Sequence, residues 1–97
     1  MMAPDDISPM KPVTIPISDE LDLHTFNPKE IPGLLRDYFT ECRAVGIFSI
    51  RVIHGKGTGI LKNRVRAALK KMPGVADFAD APPEAGGWGA TVVNLRR

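Results

Sequence analysis

The chain has 97 residues, of which 43% are hydrophobic and 25% are charged, enough for one small domain with a modest core. No apolar run approaches the ~20 residues of a membrane-spanning helix, residues 1–10 lack the pattern of a signal peptide, and the single cysteine excludes an internal disulfide and a multi-cysteine metal site. We therefore expect a cytoplasmic protein with no membrane partner.

The formal net charge of +2 is unevenly distributed along the chain. Residues 1–41 carry eight acids and three bases, whereas residues 42–97 carry ten bases and three acids. Residues 54–72 contain six bases and no acid. A clustered basic face attracts polyanions because binding releases their counterions. The alternative is a helix face that is only solvated.

The first 18 residues contain four of the nine prolines, which excludes a helix or a central strand there. We predict a proline-rich N-terminal tail or arm over residues 1–18, with a mobile part over 1–12 and an extended arm over 13–17. The folded domain is predicted to span residues 19–97.

From residue 20 onward the pattern alternates between strand and helix. Residues 21–24 alternate apolar and polar side chains, as in a strand with one buried face. Asn27 and Glu30 form a capping signal before a helix that begins near Pro32 and ends at Gly46. Residues 47–53 are predicted to form a strand whose second face is half polar, which indicates a sheet covered by helices on one side only.

The second half of the chain predicts one more helix and two strands. A glycine-rich loop over residues 54–59 precedes apolar residues at helical spacing from Leu61 to Met72. Residues 75–81 and 90–95 read as strands, joined by a turn-rich connection over 82–89. Because crossovers between parallel strands are right-handed, both helices should lie on one face of a mixed four-stranded sheet. The predicted fold is an α/β two-layer sandwich in the order β-α-β-α-β-β.

Both histidines fall at the carboxyl ends of predicted strands. If those strands are parallel, His24 and His54 meet at the sheet edge where open α/β sheets usually bind ligands. Asp22 shares a strand face with His24 and could orient its ring for proton transfer. The pair Asp22–His24 taken alone is weak evidence, since most such pairs are ordinary surface residues.

The loop between the second strand and the second helix is a stronger signal. Glycines let backbone amides approach phosphate oxygens, and a helix N-terminus favours an anion. The spacing fits neither a Walker A loop nor a dinucleotide-binding fingerprint. We predict phosphate or nucleic-acid binding, rather than a tight turn with a solvated lysine, by Gly55, Lys56, Gly57, Thr58, Gly59, Lys62, Arg64 and Arg66.

Trp88 lies between glycines just before the last strand. A tryptophan with such neighbours could stack on a nucleobase, or it could fold back and cover the edge of the core. Cys42, Tyr38 and Phe39 have the spacing of core residues, and Phe48 belongs to the apolar face of its strand.

Three stretches together resemble the Smr (small MutS-related) domain family: LDLH at residues 21–24, HGKGTG at 54–59 and GGWGATVV at 86–93. The resemblance covers about residues 20–95. It implies a fold like the C-terminal domain of translation initiation factor three, nucleic-acid binding, and nicking or endonuclease activity as in several members. By the same resemblance Asp22 and His24 match the aspartate–histidine motif, and residues 54–57 match the glycine-loop motif. Thr25 departs from the glycine that often follows this histidine, and the chain resembles a free-standing member.

These observations leave several functions open. The first is an endonuclease on DNA or RNA, with Asp22, His24 and His54 as catalytic residues. We favour metal-independent chemistry over Mg²⁺ or Mn²⁺ assistance, since one nearby carboxylate is a poor cage for Mg²⁺. The alternative is a non-catalytic module that binds structured nucleic acid or the ribosome, and a weaker third is an enzyme or binder of small phosphorylated molecules. We expect a monomer or a weak dimer.

Overall fold

The computed structural model describes residues 16–57 and 59–97. The predicted mobile tail, most of the arm and Thr58 of the glycine-rich loop lie outside the described residues. In chain order the main elements are β1 (Glu20–Asp22), α1 (Ile31–Ala44), β2 (Ser49–Ile53), α2 (Ile60–Lys70), β3 (Val75–Asp80) and β4 (Ala90–Leu95).

The four strands form one sheet in the order β1-β2-β4-β3. β1 pairs with β2 in parallel, with Leu21 opposite Val52. β4 lies antiparallel to both β2 and β3, and the ladder between β3 and β4 is irregular between Val75 and Asp77. The predicted mixed sheet and order of elements are confirmed.

The ends of α1 follow from local side-chain chemistry. The Asn27 side chain accepts the amide of Lys29, and Glu30 reaches back to the amide of Asn27, which completes the predicted capping box on a short 3₁₀ turn. The α-helix begins at Ile31, the residue after this 3₁₀ turn. The C-terminal end of α1 is followed by Gly46, whose φ of +84° is a left-handed conformation that glycine adopts readily and that ends a helix. The next strand therefore begins at Ser49, two residues later than predicted.

Both helices cover the same face of the sheet. The inward side chains Ile50, Val52 and Val93 are fully buried and share one core with residues of both helices. The helix residues in that core are Ile31, Leu35, Tyr38, Phe39, Cys42, Val65, Ala68 and Leu69. Burial raises the pKa of the Cys42 thiol to about 11, consistent with the predicted packing role. Phe48 is only partly buried, and the Arg97 guanidinium lies 4.5 Å from its ring centroid.

The opposite face of the sheet is largely polar. Arg51 pairs there with Glu20, and its guanidinium also donates to the carbonyl of Ala85 at 2.8 Å. Asp22 on this face is exposed. The predicted one-sided coverage of the sheet is therefore confirmed.

Residues 16–20 are attached to α1 through one buried tyrosine. The Tyr38 hydroxyl accepts the amide of Ser18 at 2.9 Å and lies 3.0 Å from the Ser18 carbonyl oxygen, to which it can donate. Ile17 packs against the core as a partly buried residue. No helix among residues 16–57 and 59–97 is long and apolar enough to cross a membrane.

Candidate functional site

Asp22 and His24 form a hydrogen-bonded pair where β1 ends. One carboxylate oxygen of Asp22 lies 2.5 Å from Nδ1 of His24 and accepts the His24 amide at 3.0 Å. Because the side chain accepts this amide, the strand ends at Asp22, two residues before the predicted end. The side chains of His24 and Asp22 remain 63% and 50% exposed, so the pair faces solvent.

The contacts with His24 determine the ionisation of Asp22. The hydrogen bond from the His24 ring, followed by that from its amide, lowers the pKa of Asp22. The ionised carboxylate holds a proton on Nδ1 of His24. The second ring nitrogen, Nε2, makes no hydrogen bond within the described residues.

His54 lies in a different environment, with only 4% of its surface exposed. Its Nε2 is 2.8 Å from the Thr91 hydroxyl, and its Nδ1 is 3.2 Å from the Gly55 carbonyl oxygen. Since a carbonyl only accepts, Nδ1 carries the proton of the neutral ring and Thr91 donates to Nε2. Burial is the main cause that lowers the pKa of His54, which favours the neutral form.

Both histidines line one pocket of about 320 Å³ at the carboxyl-terminal edge of β1 and β2. The other lining residues include Gly55, Gly57 and Lys62, together with Phe26 and Pro28 after β1. The structure therefore brings the two histidines to one pocket, but it exposes the His24 ring and encloses the His54 ring. Thr25 does not belong to the described lining.

The glycine-rich loop is tied to the last strand by a single carbonyl. The Gly89 oxygen accepts the amides of His54 at 3.0 Å and Gly55 at 2.9 Å. This corrects one expectation: the Gly55 amide is already bonded and is unavailable to a phosphate. A Cβ on Gly89 would lie 3.0 Å from Cγ of Lys56, so the close approach of the two segments favours glycine.

The outer part of the loop retains free binding groups. Lys56 and Gly57 are exposed, and their amides make no hydrogen bond within the described part of the chain. Gly59, with φ of +87°, directs the chain into α2. The structure thus places Gly57 in the lining of the histidine pocket, next to the start of a helix, whereas Lys56 is exposed beside it and does not line the pocket.

Two of the predicted phosphate contacts on α2 are already paired with a carboxylate. Lys62 is only 7% exposed, and its ammonium lies 3.0 Å from Asp80. Arg66 donates to the same carboxylate at 2.8 Å and lies over the Phe78 ring. The hydrogen bond from Lys62, followed by that from Arg66, lowers the pKa of Asp80. This corrects the expectation of free basic contacts, because helical spacing directs Lys62 and Arg66 towards β3.

Trp88 covers part of the loop and remains 46% exposed. The Lys62 ammonium lies 4.3 Å from its ring centroid, and a Cβ on Gly59 would be 3.5 Å from its ring. The ring therefore folds back onto residues that line the histidine pocket while presenting about half of its surface to solvent. The ring thus folds back, as one interpretation expected, but onto the loop and Lys62. Stacking of Trp88 on a nucleobase stays a prediction.

Arg64 lies outside the histidine pocket. It lines a separate groove between α1 and α2, together with Arg36 and Lys71. The six bases of residues 54–72 are thus not one continuous surface, because successive positions on a helix point in different directions.

Three residues of this region were missed from the sequence: Thr91, Gly89 and Asp80. Thr91 occupies an inward position of β4 beside Val93, and a buried hydroxyl needs a partner, which here is His54. The alternation of β4 could have identified it. Gly89 and Asp80 act through contacts with distant segments, for which the sequence carries no local signal.

Metal ligands are sparse in the described part of the molecule. No group of three or more histidine, cysteine, aspartate or glutamate side chains is placed there to hold a metal ion. The Asp22 carboxylate is hydrogen-bonded to His24, which already occupies one of its oxygens.

Comparison with known proteins identifies the family. The family model described as "Smr domain" matches residues 21–96, which include both histidines, the glycine-rich loop and Trp88. The chain therefore belongs to the Smr domain family. Endonuclease MutS2 of Thermus thermophilus is 44% identical to this Smr domain over 77 residues, and that of Finegoldia magna is 38% identical over 80 residues. These alignments cover 79% and 82% of the chain but about 10% of the relatives, so the chain matches a tenth of their length.

Solved structures have the same fold as this Smr domain. The Smr domain of Thermus thermophilus MutS2 aligns with a TM-score of 0.77 and 42% identity, covering 82% of this chain and all of that one. YdaL, a stand-alone small MutS-related protein from Escherichia coli, aligns with a TM-score of 0.69 and 28% identity. That alignment covers 81% of this chain and 65% of YdaL. The predicted family and the predicted fold are both confirmed.

Proposed function

We propose that this Smr domain binds nucleic acid and hydrolyses phosphodiester bonds of DNA or RNA. The proposal rests chiefly on the solvent-exposed His24, which is held by Asp22 and lines the same pocket as Gly57, whose amide makes no hydrogen bond within the described residues. The relatives named endonuclease MutS2 support the same reaction class. The domain is expected to act as a monomer or a weak dimer.

The proposed reaction begins with a phosphate at the mouth of the pocket. Lys56 and the amides of Lys56 and Gly57 stabilise the charge on the non-bridging oxygens. His24 accepts the proton of the attacking water at Nε2 while the new phosphorus–oxygen bond forms. Asp22 stabilises the resulting imidazolium, and the bond to the leaving sugar oxygen breaks as that oxygen takes a proton from solvent.

His54 receives a positioning role in this proposal. The initial hypothesis made it a second proton-transfer residue, but its ring is enclosed and both nitrogens already have partners. Its bonds to Thr91 and Gly55 instead favour a function in holding the loop in place. Trp88 is proposed to stack on a base next to the cleaved bond with the exposed part of its ring.

A cleavage assay with His24→Ala tests the reaction. The purified domain is incubated with labelled branched DNA and with RNA, in Mg²⁺, in Mn²⁺ and in a chelator. Loss of the general base should lower the cleavage rate about 100- to 10,000-fold. Because the side chain is exposed, the free energy of unfolding should change by less than about 0.5 kcal/mol.

Thr25→Ala is the matched control, since Thr25 is exposed, adjacent in sequence and outside the pocket lining. It should cleave at the wild-type rate. Equal cleavage by the wild type and His24→Ala would exclude the proposed mechanism. Activity that disappears in the chelator and returns with Mg²⁺ or Mn²⁺ would overturn the preference for metal-independent chemistry.

A binding module without catalysis is the second candidate. It is favoured by one observation: only one of the two histidines has a ring nitrogen open to the pocket. Such a module would use Lys56 and His24 as phosphate contacts. Salt-sensitive binding without cleavage products in any of the conditions above would support it.

A further inference from the structure

A second concave surface lies between α1 and α2. The groove has a volume of about 580 Å³ and extends from Pro32, in the first turn of α1, to Gly74 beyond the end of α2. Its basic lining residues are Arg36, Arg43, Arg64 and Lys71. We refer to it as the helix groove.

The four cations of the helix groove have no acidic partner among residues 16–57 and 59–97. No aspartate or glutamate lines the groove, and none of the four forms an ion pair there. Three other basic residues of the domain, Arg51, Lys62 and Arg66, are each paired with a carboxylate. Uncompensated like charges around a concave surface create a positive potential that an anion would relieve.

The spacing of the cations indicates a ligand with several negative charges. Arg36 and Arg43 are seven residues apart on α1, and Arg64 and Lys71 are also seven apart, from α2 to the residue after it. Two helical turns correspond to about 10 Å along the helix axis. Cations repeated at that spacing on both helices match a ligand with several separate negative charges, such as the consecutive phosphates of a nucleic-acid strand.

The helix groove begins beside the histidine pocket. Pro28 lines the histidine pocket and Pro32 lines the groove. On α2, Lys62 lines the pocket and Arg64 lines the groove. Lining residues of the two concave surfaces therefore lie four positions apart around the start of α1 and two positions apart on α2, so the two surfaces adjoin the same segments of the chain.

We propose that the helix groove binds the sugar–phosphate backbone of the nucleic acid to one side of the cleaved bond. This inference rests on the proposed function and adds a substrate requirement. The domain should prefer a polynucleotide that reaches beyond the pocket over a dinucleotide that fills only the pocket.

The test removes two groove cations, Arg36→Gln and Arg64→Gln, singly and together. Glutamine is a good helix former, so the helices should be retained. In about 0.1 M salt each removed phosphate contact should weaken binding of a long oligonucleotide about five- to eightfold, measured by fluorescence anisotropy. The slope of log K against log salt should become shallower by about 0.7–0.9 per cation. Cleavage of a dinucleotide should fall less than cleavage of the long oligonucleotide.

The matched control is the double variant Lys70→Gln/Arg97→Gln, which removes two exposed cations outside the groove. Its affinity should stay within about twofold of the wild type, since its charges contact no phosphate. If the groove variants and the control variant lost the same affinity for the oligonucleotide, the loss would be explained by net charge alone and the inference would be wrong.

Two further outcomes separate this inference from the proposed function. A wild-type domain that neither binds nor cleaves any oligonucleotide would refute the proposed function itself. If the groove substitutions weakened binding of polyglutamate but left oligonucleotide binding unchanged, the groove would be a protein-binding surface and the inference would be wrong.

Discussion

The two histidines occupy one pocket in opposite environments. His24 is exposed, held by a carboxylate through one nitrogen and open to solvent through the other. His54 is enclosed, with one nitrogen bonded to a hydroxyl and the other near a carbonyl. In the proposed function, the exposed imidazole transfers a proton and the enclosed imidazole holds the loop in place. The role of each histidine depends on whether one of its ring nitrogens keeps a lone pair that accepts no hydrogen bond from the protein.

The two ends of the glycine-rich loop differ in the same way. Its inner end, His54 and Gly55, is fixed to the Gly89 carbonyl and to Thr91. Its outer end, Lys56 and Gly57, has free amides that a phosphate can use. Preorganised donors are effective because they need no rearrangement when charge develops. The substitutions below therefore test the buried residues of the site. His24→Ala, described above, tests the exposed histidine.

Thr91→Val should have the largest effect on stability. Valine has nearly the same shape, but it leaves Nε2 of the buried His54 without a donor, at a cost of about 2 kcal/mol. Urea denaturation measures the loss in the free energy of unfolding. Thr91→Ser keeps the hydroxyl and should cost about 1 kcal/mol, the value of one buried methyl group. A smaller loss in Thr91→Val than in Thr91→Ser would contradict the proposed hydrogen bond.

Gly89→Ala should have a smaller effect, of about 1 kcal/mol. The new methyl group would lie 3.0 Å from Cγ of Lys56 and 3.4 Å from the carbonyl carbon of Gly55, so the loop must shift. Cleavage should fall as well, because the shift displaces Lys56. Gly33→Ala in α1 is the control: a Cβ there meets nothing within 4 Å, and alanine should stabilise the helix by about 0.5–1 kcal/mol. Equal stability changes in the two variants would argue against the close contact.

The smallest expected effect is a dependence of stability on pH. Burial lowers the pKa of His54, so the unfolded chain binds the proton more readily than the folded one. The free energy of unfolding should therefore decrease as the pH falls below about 6.5, the value for an unfolded histidine, and level off below the folded pKa. Above about pH 6.5 His54 is neutral in both the folded and the unfolded chain, so the free energy of unfolding should not change with pH.

The measurement is best made in a His24→Gln background, where His54 is the only imidazole. The His24→Gln substitution also removes the ring that lowers the pKa of Asp22. The carboxylate of Asp80, whose pKa is lowered by Lys62 and Arg66, loses its contribution to stability only below about pH 4. The window between about pH 7 and pH 5 therefore isolates His54. A free energy of unfolding that stays constant across it would contradict an enclosed neutral ring.

Much of the architecture followed from local patterns. The Asn27–Glu30 capping box and the break at Gly46 located α1 to within about two residues, because these signals act through neighbouring backbone groups. The half-polar strand around Arg51 correctly predicted a sheet covered on one side. The Asp22–His24 pair was also predictable, since its members are two residues apart.

The remainder depended on contacts between distant residues. Lys62 was predicted as a free cation, but it lies beneath Trp88 and against Asp80, a residue 18 positions away. Helical spacing directs a side chain to one face, whereas the partner on that face is determined by which strand packs there. The same reason explains why the basic segment divides into paired residues and the open helix groove.

The sequence by itself determined the order of the elements, the apolar face of each and the meeting of two strand ends at one edge. These properties depend on periodicity and on backbone sterics within a few residues. Only the tertiary structure decided that His24 stays in solvent while His54 is enclosed by Thr91 and the Gly89 segment. Burial is a property of everything packed around a side chain, and for His54 those neighbours lie more than 30 residues away along the chain.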